Sequence, residues 1–290
     1  MDQLQRTVRL GPLRVGLRLP VNTSGLQRPW CLPEPGERLD LELEVTTTEF
    51  AAGDALEFDE FDAHHCSWRI GSVRGQWDHR EGTGTLTLSQ PIDLVGGLRE
   101  FGSNLLWMLQ ALVLQAGGLL VHGAALSLSS GVFVVCGVSG AGKSTLASRF
   151  VDRALHDDLV YLVPSAPDPS KWQAWRQNAI RIRGEHLPWA TPLAAMVRLA
   201  ADRSRTHVDR ANWPQCVGEI APHCWYAGGA AAAATAERIA ALTASVPIGV
   251  LTHCLSDPVE VVEVALASLL LPDLQQVPQL PCGGLAAVQP

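Results

Sequence analysis

The eight residues from Gly137 to Ser144 constrain this chain more than any other segment of its sequence. They read Gly-Val-Ser-Gly-Ala-Gly-Lys-Ser, which matches the P-loop pattern GxxxxGK[ST]. The run directly follows an apolar segment with strand character, Val132 to Cys136, and opens a segment with helical character. A glycine turn with a purely structural role has no need of Lys143 followed by two hydroxyl residues. The sequence therefore predicts a site for nucleotide phosphates on an α/β core.

Each position of this loop has an expected role. Lys143 is expected to reach the β- and γ-phosphates of ATP, and the Ser144 hydroxyl is expected to coordinate Mg²⁺. Backbone N–H groups surround the phosphates in such loops. The residues expected to bind the nucleotide are Gly137, Val138, Ser139, Gly140, Ala141, Gly142, Lys143, Ser144 and Thr145.

Two adjacent acids follow the P-loop. Asp157 and Asp158 come 14 and 15 residues after Lys143, at the end of a short strand predicted for Ala154 to His156. One carboxylate can hold Mg²⁺, for which we expect Asp158, while the other can accept the proton of an attacking hydroxyl. An exposed acidic turn is the alternative interpretation.

A histidine lies on the strand that precedes the P-loop strand. His122 stands 21 residues before Lys143, within Val121-His122-Gly123-Ala124. A lone strand histidine is usually a satisfied core residue. Because this strand neighbours the P-loop, we expect the imidazole to reach the γ-phosphate or to hydrogen-bond the aspartate pair and tune its pKa.

The first hundred residues differ in character from the rest. With 290 residues, 47% of them apolar and 18% charged, the chain can form two ordered lobes. We predict a β-rich N-terminal lobe over residues 1–92 and a catalytic domain over residues 93–290. The predicted N-terminal strands are Thr7 to Leu19, Leu39 to Thr47, Ser67 to Val73 and Gly84 to Leu88, with the acidic segment Phe50 to Asp62 as a solvated loop.

Beyond the predicted site, periodicity and Pro or Gly positions mark further elements. A helix is predicted over Leu94 to Gln115, and strands over Leu119 to Leu128 and Val132 to Cys136. The segments that follow are predicted as a loop at Pro164 to Arg176, helices at Leu193 to Ala201, Ala227 to Ala244 and Val259 to Leu271, and a strand at Val246 to Leu251.

Charge and hydropathy argue against several classes of partner. The net charge of −7 and a pI near 5.7, with no Lys/Arg-rich run, disfavour nucleic acid. The longest apolar runs are too short or too interrupted to span a bilayer, and the N-terminus lacks the apolar region of a signal peptide. We therefore expect a cytoplasmic protein with no membrane partner. Seven cysteines occur without a CxxC spacing, three of them directly after a histidine, and structural thiols explain them best.

Three segments together resemble the HPr kinase/phosphorylase family: Leu120 to Ala124, Gly137 to Ser144, and Leu155 to Asp158. The resemblance implies a P-loop kinase core of the HPr kinase and phosphoenolpyruvate carboxykinase type, using ATP and Mg²⁺. It also implies that His122 assists at the phosphate and that Asp157 and Asp158 supply the base and a metal contact. The implied substrate is a serine-type hydroxyl on a protein or peptide, and a homo-oligomeric assembly is implied as well.

One departure from the family pattern concerns the bifunctional members. Their signature resembles Leu-Glu-Ile-Arg-Gly, with a glutamate at the metal site, whereas Ile180 to Gly184 here has Arg181 at the acidic position, with Glu185 close by. This departure argues against the bifunctional regulatory role and for a divergent kinase with another substrate. A small-molecule hydroxyl kinase and a non-catalytic ATP-binding module remain the alternatives.

Overall fold

The computed structural model describes residues 4–10, 13–19, 41–48, 53–62, 64–71, 73–78, 80–88, 112–150, 152–156, 158–175, 188–200, 204–225 and 229–271. Within these ranges the chain is mixed α/β and rich in strands. None of the helices in them is long and apolar enough to cross a membrane.

The N-terminal part forms a seven-stranded sheet. Its strands are β1 (Leu4–Leu10), β2 (Leu13–Leu19), β3 (Leu41–Thr47), β4 (Gly53–Phe61), β5 (His65–Gly71), β6 (Val73–Asp78) and β7 (Thr83–Leu88), in the spatial order β1-β2-β3-β7-β6-β5-β4. Strand β6 alternates buried and exposed residues, so that Val73, Gly75 and Trp77 face the same buried side. Gly75 must lack a side chain, because a Cβ there would lie 2.4 Å from the buried Trp68 ring.

Two sequence expectations for this region need correction. The segment predicted as one strand, Thr7 to Leu19, is the antiparallel pair β1 and β2, separated by Gly11 and Pro12 in the sequence. The acidic segment predicted as a loop contains β4, which pairs with β5 at the sheet edge. An edge strand tolerates exposed acidic side chains, such as those of Asp59 and Glu60, so acidity alone did not exclude a strand.

The second sheet has eight strands. They are β8 (Leu119–Leu128), β9 (Gly131–Cys136), β10 (Ala154–His156), β11 (Leu159–Ser165), β12 (Asp168–Trp175), β13 (Ala190–Leu199), β14 (His207–Arg210) and β15 (Ile248–Thr252). Strand β9 lies between β8 and β13, and β13 pairs in parallel with both β9 and β15. The carboxyl ends of β9, β13 and β15 therefore meet at one edge of the sheet, where ligands bind in sheets of this kind.

Four helices and two 3₁₀ turns accompany this sheet. The helices are α1 (Lys143–Arg149), α2 (Trp213–Ile220), α3 (Ala232–Ser245) and α4 (Val259–Ser268), and the 3₁₀ turns are Ala221–His223 and Gly229–Ala231. Leu146 of α1 and Leu266 of α4 belong to one buried cluster. Ile220 of α2 and Leu242 of α3 belong to a second cluster. Successive residues of β13 belong to different clusters, Met196 to the second and Val197 to the first. Apolar side chains therefore cover both faces of the sheet.

The burial of β13 on both faces explains a wrong prediction. Residues 193 to 201 were expected to form a helix, but the chain there is the central strand β13 as far as Leu199. A strand covered on both faces carries a continuous apolar run, which periodicity alone does not distinguish from a buried helix. The segment predicted as a loop, Pro164 to Arg176, likewise contains the end of β11 and all of β12, which pair in antiparallel. Trp172 of β12 is buried, and its Nε1 donates to Ser245 Oγ at 3.1 Å.

Other expectations agree with the described residues or lie outside them. The alanine-rich helix is α3, the last helix is α4, and the strands before and after Ser129 to Gly131 are β8 and β9. Of the helix predicted up to Gln115, the described residues 112–115 are helical. The boundary predicted at residues 92 and 93 falls outside the described residues.

Contacts join the two sheets' regions near residue 115. The Gln115 side chain donates from Nε2 to the Asp62 carbonyl at 3.0 Å and accepts from Trp77 Nε1. Gly229 packs against Phe58 of β4, at a distance that leaves no room for a Cβ. The 3₁₀ turn Gly229–Ala231 is thereby fixed against the N-terminal sheet.

Candidate functional site

The predicted P-loop connects β9 to α1 at the carboxyl edge of the second sheet. Gly140 and Gly142 have φ values of 80° and 103°, in the left-handed region that favours glycine. A Cβ on Gly140 would meet no atom within 4 Å, so the backbone conformation and not crowding requires glycine there. The Ala141 N–H donates to the Val138 carbonyl at 3.1 Å, which closes the turn.

Lys143 lies inside this loop. Its Nζ donates to the Gly137 carbonyl at 2.7 Å and to the Val138 carbonyl at 3.2 Å, and the residue is 7% exposed. No carboxylate of the described residues lies within 4.0 Å of Nζ. The ammonium therefore faces neutral carbonyl oxygens, which the oxygens of a phosphate can replace.

The two hydroxyl residues that follow are exposed on the first turn of α1. Ser144 and Thr145 both reach solvent. The first N–H groups of a helix have no intrahelical partner, so this turn also presents backbone donors. The Ser144 hydroxyl and the exposed Asp158 carboxylate are oxygen ligands of the type that Mg²⁺ prefers, which fits the predicted metal contacts.

His122 and Asp158 lie together, as the sequence predicts. His122 Nε2 is 3.4 Å from Asp158 Oδ1. The Gly123 N–H donates to the Asp158 carbonyl at 2.9 Å, and His122 is opposite Leu159 in the pairing of β8 with β11, so backbone contacts fix both residues. Asp157 lies outside the described residues, so its predicted role stays a prediction.

The charge state of His122 follows from its surroundings. Partial burial lowers the pKa of His122 most, the Lys143 ammonium lowers it further, and the Asp158 carboxylate opposes both effects. Its pKa therefore lies below the ordinary histidine value of 6.5. At neutral pH the imidazole is uncharged and can donate to Asp158 from Nε2.

A second histidine that the sequence did not single out for this site lies beside His122. An antiparallel bridge joins Val121 to Cys224, and the Trp225 N–H donates to the Leu120 carbonyl at 2.9 Å. In this register His223 is the neighbour of His122, and it is 7% exposed. In the sequence His223 stood out only as part of a His-Cys dipeptide, because nothing local indicates a bridge to a strand so far away along the chain.

The surroundings of His223 are mainly cationic. Burial lowers the pKa of His223 most, followed by Lys143, His122 and Arg198, while Glu219 raises it. Such an environment keeps the imidazole neutral. These interactions place His122, His223, Lys143 and Arg198 in one electrostatic region at the end of β9.

Of the four arginines between residues 198 and 210 in the sequence, Arg198 reaches this region. It is opposite Cys136 in the pairing of β13 with β9, and its Nε donates to a carboxylate oxygen of Glu219 on α2. Arg210 instead donates to the Leu269 carbonyl, and Arg203 lies outside the described residues. The segment with Arg181 and Glu185 also lies outside them.

The sequence matches no protein-family model and no curated protein. Among solved structures, the chain is similar to the Hpr(Ser) kinase/phosphatase from Coxiella burnetii, over 51% of this chain and 94% of that chain. The sequence identity is 9% and the TM-score is 0.32. At this level the likeness carries no argument about function, so the functional inferences rest on the residues of the site.

Proposed function

We propose that the chain is an ATP-dependent phosphotransferase with a P-loop core of the HPr kinase type, which phosphorylates a serine-type hydroxyl of a protein or peptide. The observation that carries this proposal is the juxtaposition at the end of β9. A loop with the P-loop sequence holds Lys143 inside its turn, and His122 on the neighbouring strand β8 lies beside Asp158, which directly precedes β11.

The loop residues would bind the nucleotide. Lys143 would exchange its two carbonyl contacts for oxygens of the β- and γ-phosphates, and backbone N–H groups at the start of α1 would donate to the same anion. Ser144 and Asp158 would hold Mg²⁺, which neutralises charge on the phosphates when it is bound. Both residues offer exposed oxygen atoms on the same edge of the sheet.

The aspartates would serve the acceptor. The acceptor oxygen forms a bond to the γ-phosphorus, the bond from that phosphorus to the bridging oxygen breaks, and ADP leaves. The proton of the acceptor hydroxyl passes to a carboxylate of the Asp157-Asp158 pair, of which the described Asp158 lies 3.4 Å from His122. The neutral His122 would orient the Asp158 carboxylate through Nε2–H, and its Nδ1 remains an acceptor.

A transfer assay with matched variants tests this function. The chain is incubated with ATP labelled at the γ-phosphate, Mg²⁺, and serine-containing peptides and proteins from a lysate as acceptors. We expect label on the acceptor with the wild-type chain, and at least a hundredfold slower transfer with Asp158→Asn, because the variant loses the carboxylate assigned to Mg²⁺ and one of the two acids of the Asp157-Asp158 pair.

Asp209→Asn is the control for this experiment. Asp209 also pairs with a histidine, His207, at 3.2 Å, and its side chain is 74% exposed against 64% for Asp158. It lies on the edge strand β14, so its removal should leave transfer unchanged. Label that reaches only small molecules would redirect the proposal to a small-molecule kinase. Label that leaves ATP only by slow hydrolysis would refute phosphotransfer and leave an ATP-binding module.

A further inference from the structure

A pocket adjoins the P-loop on the side away from His122. It is a shallow pocket that opens to solvent, with about 320 Å³ of empty space when the solvent at its mouth is included. Gly142 and Thr145 line it, so it is continuous with the phosphate-binding turn. No local pattern in the sequence indicates this pocket, because its other walls come from the ends of β13 and β15.

The order of strands gives this site two different sides. Strand β9 pairs with β8 on one side and with β13 on the other, while β8 also pairs with β11 and β13 also pairs with β15. His122 and Asp158 lie on the β8 and β11 side of the P-loop strand. The pocket lies on the β13 and β15 side, where Leu199, Ala200 and His253 line it. A nucleotide whose γ-phosphate faces His122 therefore has its base directed toward the pocket.

The walls of the pocket suit a flat, weakly polar group. Ala141, Leu199, Ala200 and Leu255 contribute apolar side chains, and Leu255 is a large hydrophobic residue left exposed at the surface. Flat aromatic groups bind in such sites by stacking and apolar contact. The aromatic ring of His253 also lines the pocket.

His253 is held rigidly by protein groups. It is 4% exposed, and its Nε2 lies 3.0 Å from Arg149 Nη1, while its Nδ1 lies 3.4 Å from Thr206 Oγ1. Because a guanidinium only donates, Nε2 accepts from Arg149 and Nδ1 carries the proton that faces Thr206. Thr206 Oγ1 also accepts from the Cys254 N–H at 3.0 Å, which ties the ring to its own loop. With both nitrogens engaged, the ring offers its carbon edge and face to the pocket.

We infer that this pocket binds the nucleobase of the nucleotide, by stacking and apolar contact with His253 and the side chains of Leu199, Ala200 and Leu255. The inference rests on the proposed function, because it takes the phosphate position from the P-loop. It adds the part of the ligand that a P-loop sequence does not specify.

Comparison of two ligands measures how much the nucleoside contributes to binding affinity. The binding of Mg²⁺-ATP and of Mg²⁺-tripolyphosphate to the full chain is measured by calorimetry, since the two share the phosphates and differ in the nucleoside. We expect the wild-type chain to bind ATP at least about tenfold more tightly, in the range that stacking of a base contributes. In Ala200→Trp, which fills the pocket, this preference should fall to about onefold while the affinity for tripolyphosphate is kept.

Two further variants keep the test decisive if Ala200→Trp does not fold. Leu255→Ala removes an exposed side chain at the pocket and should weaken ATP binding about threefold with no effect on tripolyphosphate. Val264→Ala removes an exposed side chain from α4, outside the pocket, and should change neither affinity. A wild-type chain that binds both ligands equally, or pocket variants that keep the full preference for ATP, would overturn the assignment. A wild-type chain that binds neither ligand would instead overturn the proposed function, and the base pocket with it.

Discussion

Replacement of Lys143 by methionine separates nucleotide binding from the stability of the loop. Methionine keeps an unbranched apolar side chain of similar length and removes only the ammonium. This ammonium donates to the carbonyls of Gly137 and Val138, and Lys143 is 7% exposed. The variant therefore loses two hydrogen bonds and also the desolvation of a charge, and these effects oppose each other.

The substitution should change the free energy of unfolding and the affinity for Mg²⁺-ATP by different amounts. For folding, the opposed terms should leave the free energy of unfolding within about 1 kcal/mol of the wild type. For binding, one charged hydrogen bond to phosphate contributes about 1.5 to 3 kcal/mol, which corresponds to roughly 10- to 150-fold weaker binding of Mg²⁺-ATP. Loss of binding with stability kept is thus the expected pattern.

Calorimetric titration with Mg²⁺-ATP and urea denaturation measure the two quantities on the same preparations. The control is Lys171→Met, since Lys171 is the other lysine of the sequence, its side chain is 77% exposed, and its ion pair with Asp168 spans 3.4 Å. This control should bind ATP as the wild type does. ATP affinity within threefold of the wild type in Lys143→Met would refute the assignment of Lys143 to the phosphates.

Two further predictions concern packing and pH. Gly229→Ala should lower the free energy of unfolding by roughly 2 to 4 kcal/mol in urea denaturation, because Gly229 has φ +61° and a Cβ would lie 2.5 Å from the Phe58 carbonyl oxygen. Gly218→Ala, inside α2 with no atom within 4 Å of the added Cβ, should instead raise it by up to about 1 kcal/mol, and equal effects would contradict the contact with Phe58. The pKa values of His122 and His223 are lowered in the folded chain, so the unfolded chain binds more protons below pH 6.5 and stability should fall as pH drops from 6.5 to 5.5. The fall should be at most about 1.4 kcal/mol per pH unit for the buried His223, and less for His122, whose half-exposed side chain is screened by solvent. His223→Gln should flatten this fall, and an unchanged slope would show that His223 titrates normally.

Local sequence signals predicted the parts of the site that lie near one another along the chain. The P-loop pattern located the turn after β9, and the short spacing from Lys143 to Asp158 indicated an acid at the end of the next strand. His122 was expected near that acid because its strand precedes β9, and the two lie 3.4 Å apart. These features are short-range, so spacing along the chain was sufficient to place them.

The parts that sequence did not predict depend on distant pairing. Strand β13 was predicted as a helix because apolar residues cover both of its faces. Only its pairing with β9 and β15 shows that this segment is a strand. His223 reaches the site through the bridge of Cys224 to β8. His253 reaches its pocket because β15 runs parallel to β13. No residue near His223 or His253 in the sequence carries information about these pairings.

The position of β9 within the sheet also explains why the two sides of the site differ in chemistry. On the β8 side lie the groups that can move or hold a proton, His122 and Asp158, with His223 beside them. On the β15 side lies a pocket whose walls are mainly apolar. A nucleoside triphosphate has the same asymmetry, with a charged reactive end and a flat base at the other. The P-loop begins where β9 ends, between these two sides. In one orientation the proposed nucleotide would direct its γ-phosphate toward His122 and its base toward the pocket. The reverse orientation would bring the base to His122 and the γ-phosphate to Leu255. For the nucleotide proposed above, desolvation of the phosphate against apolar side chains would disfavour that reverse orientation, so the order of strands would select the direction in which the γ-phosphate points.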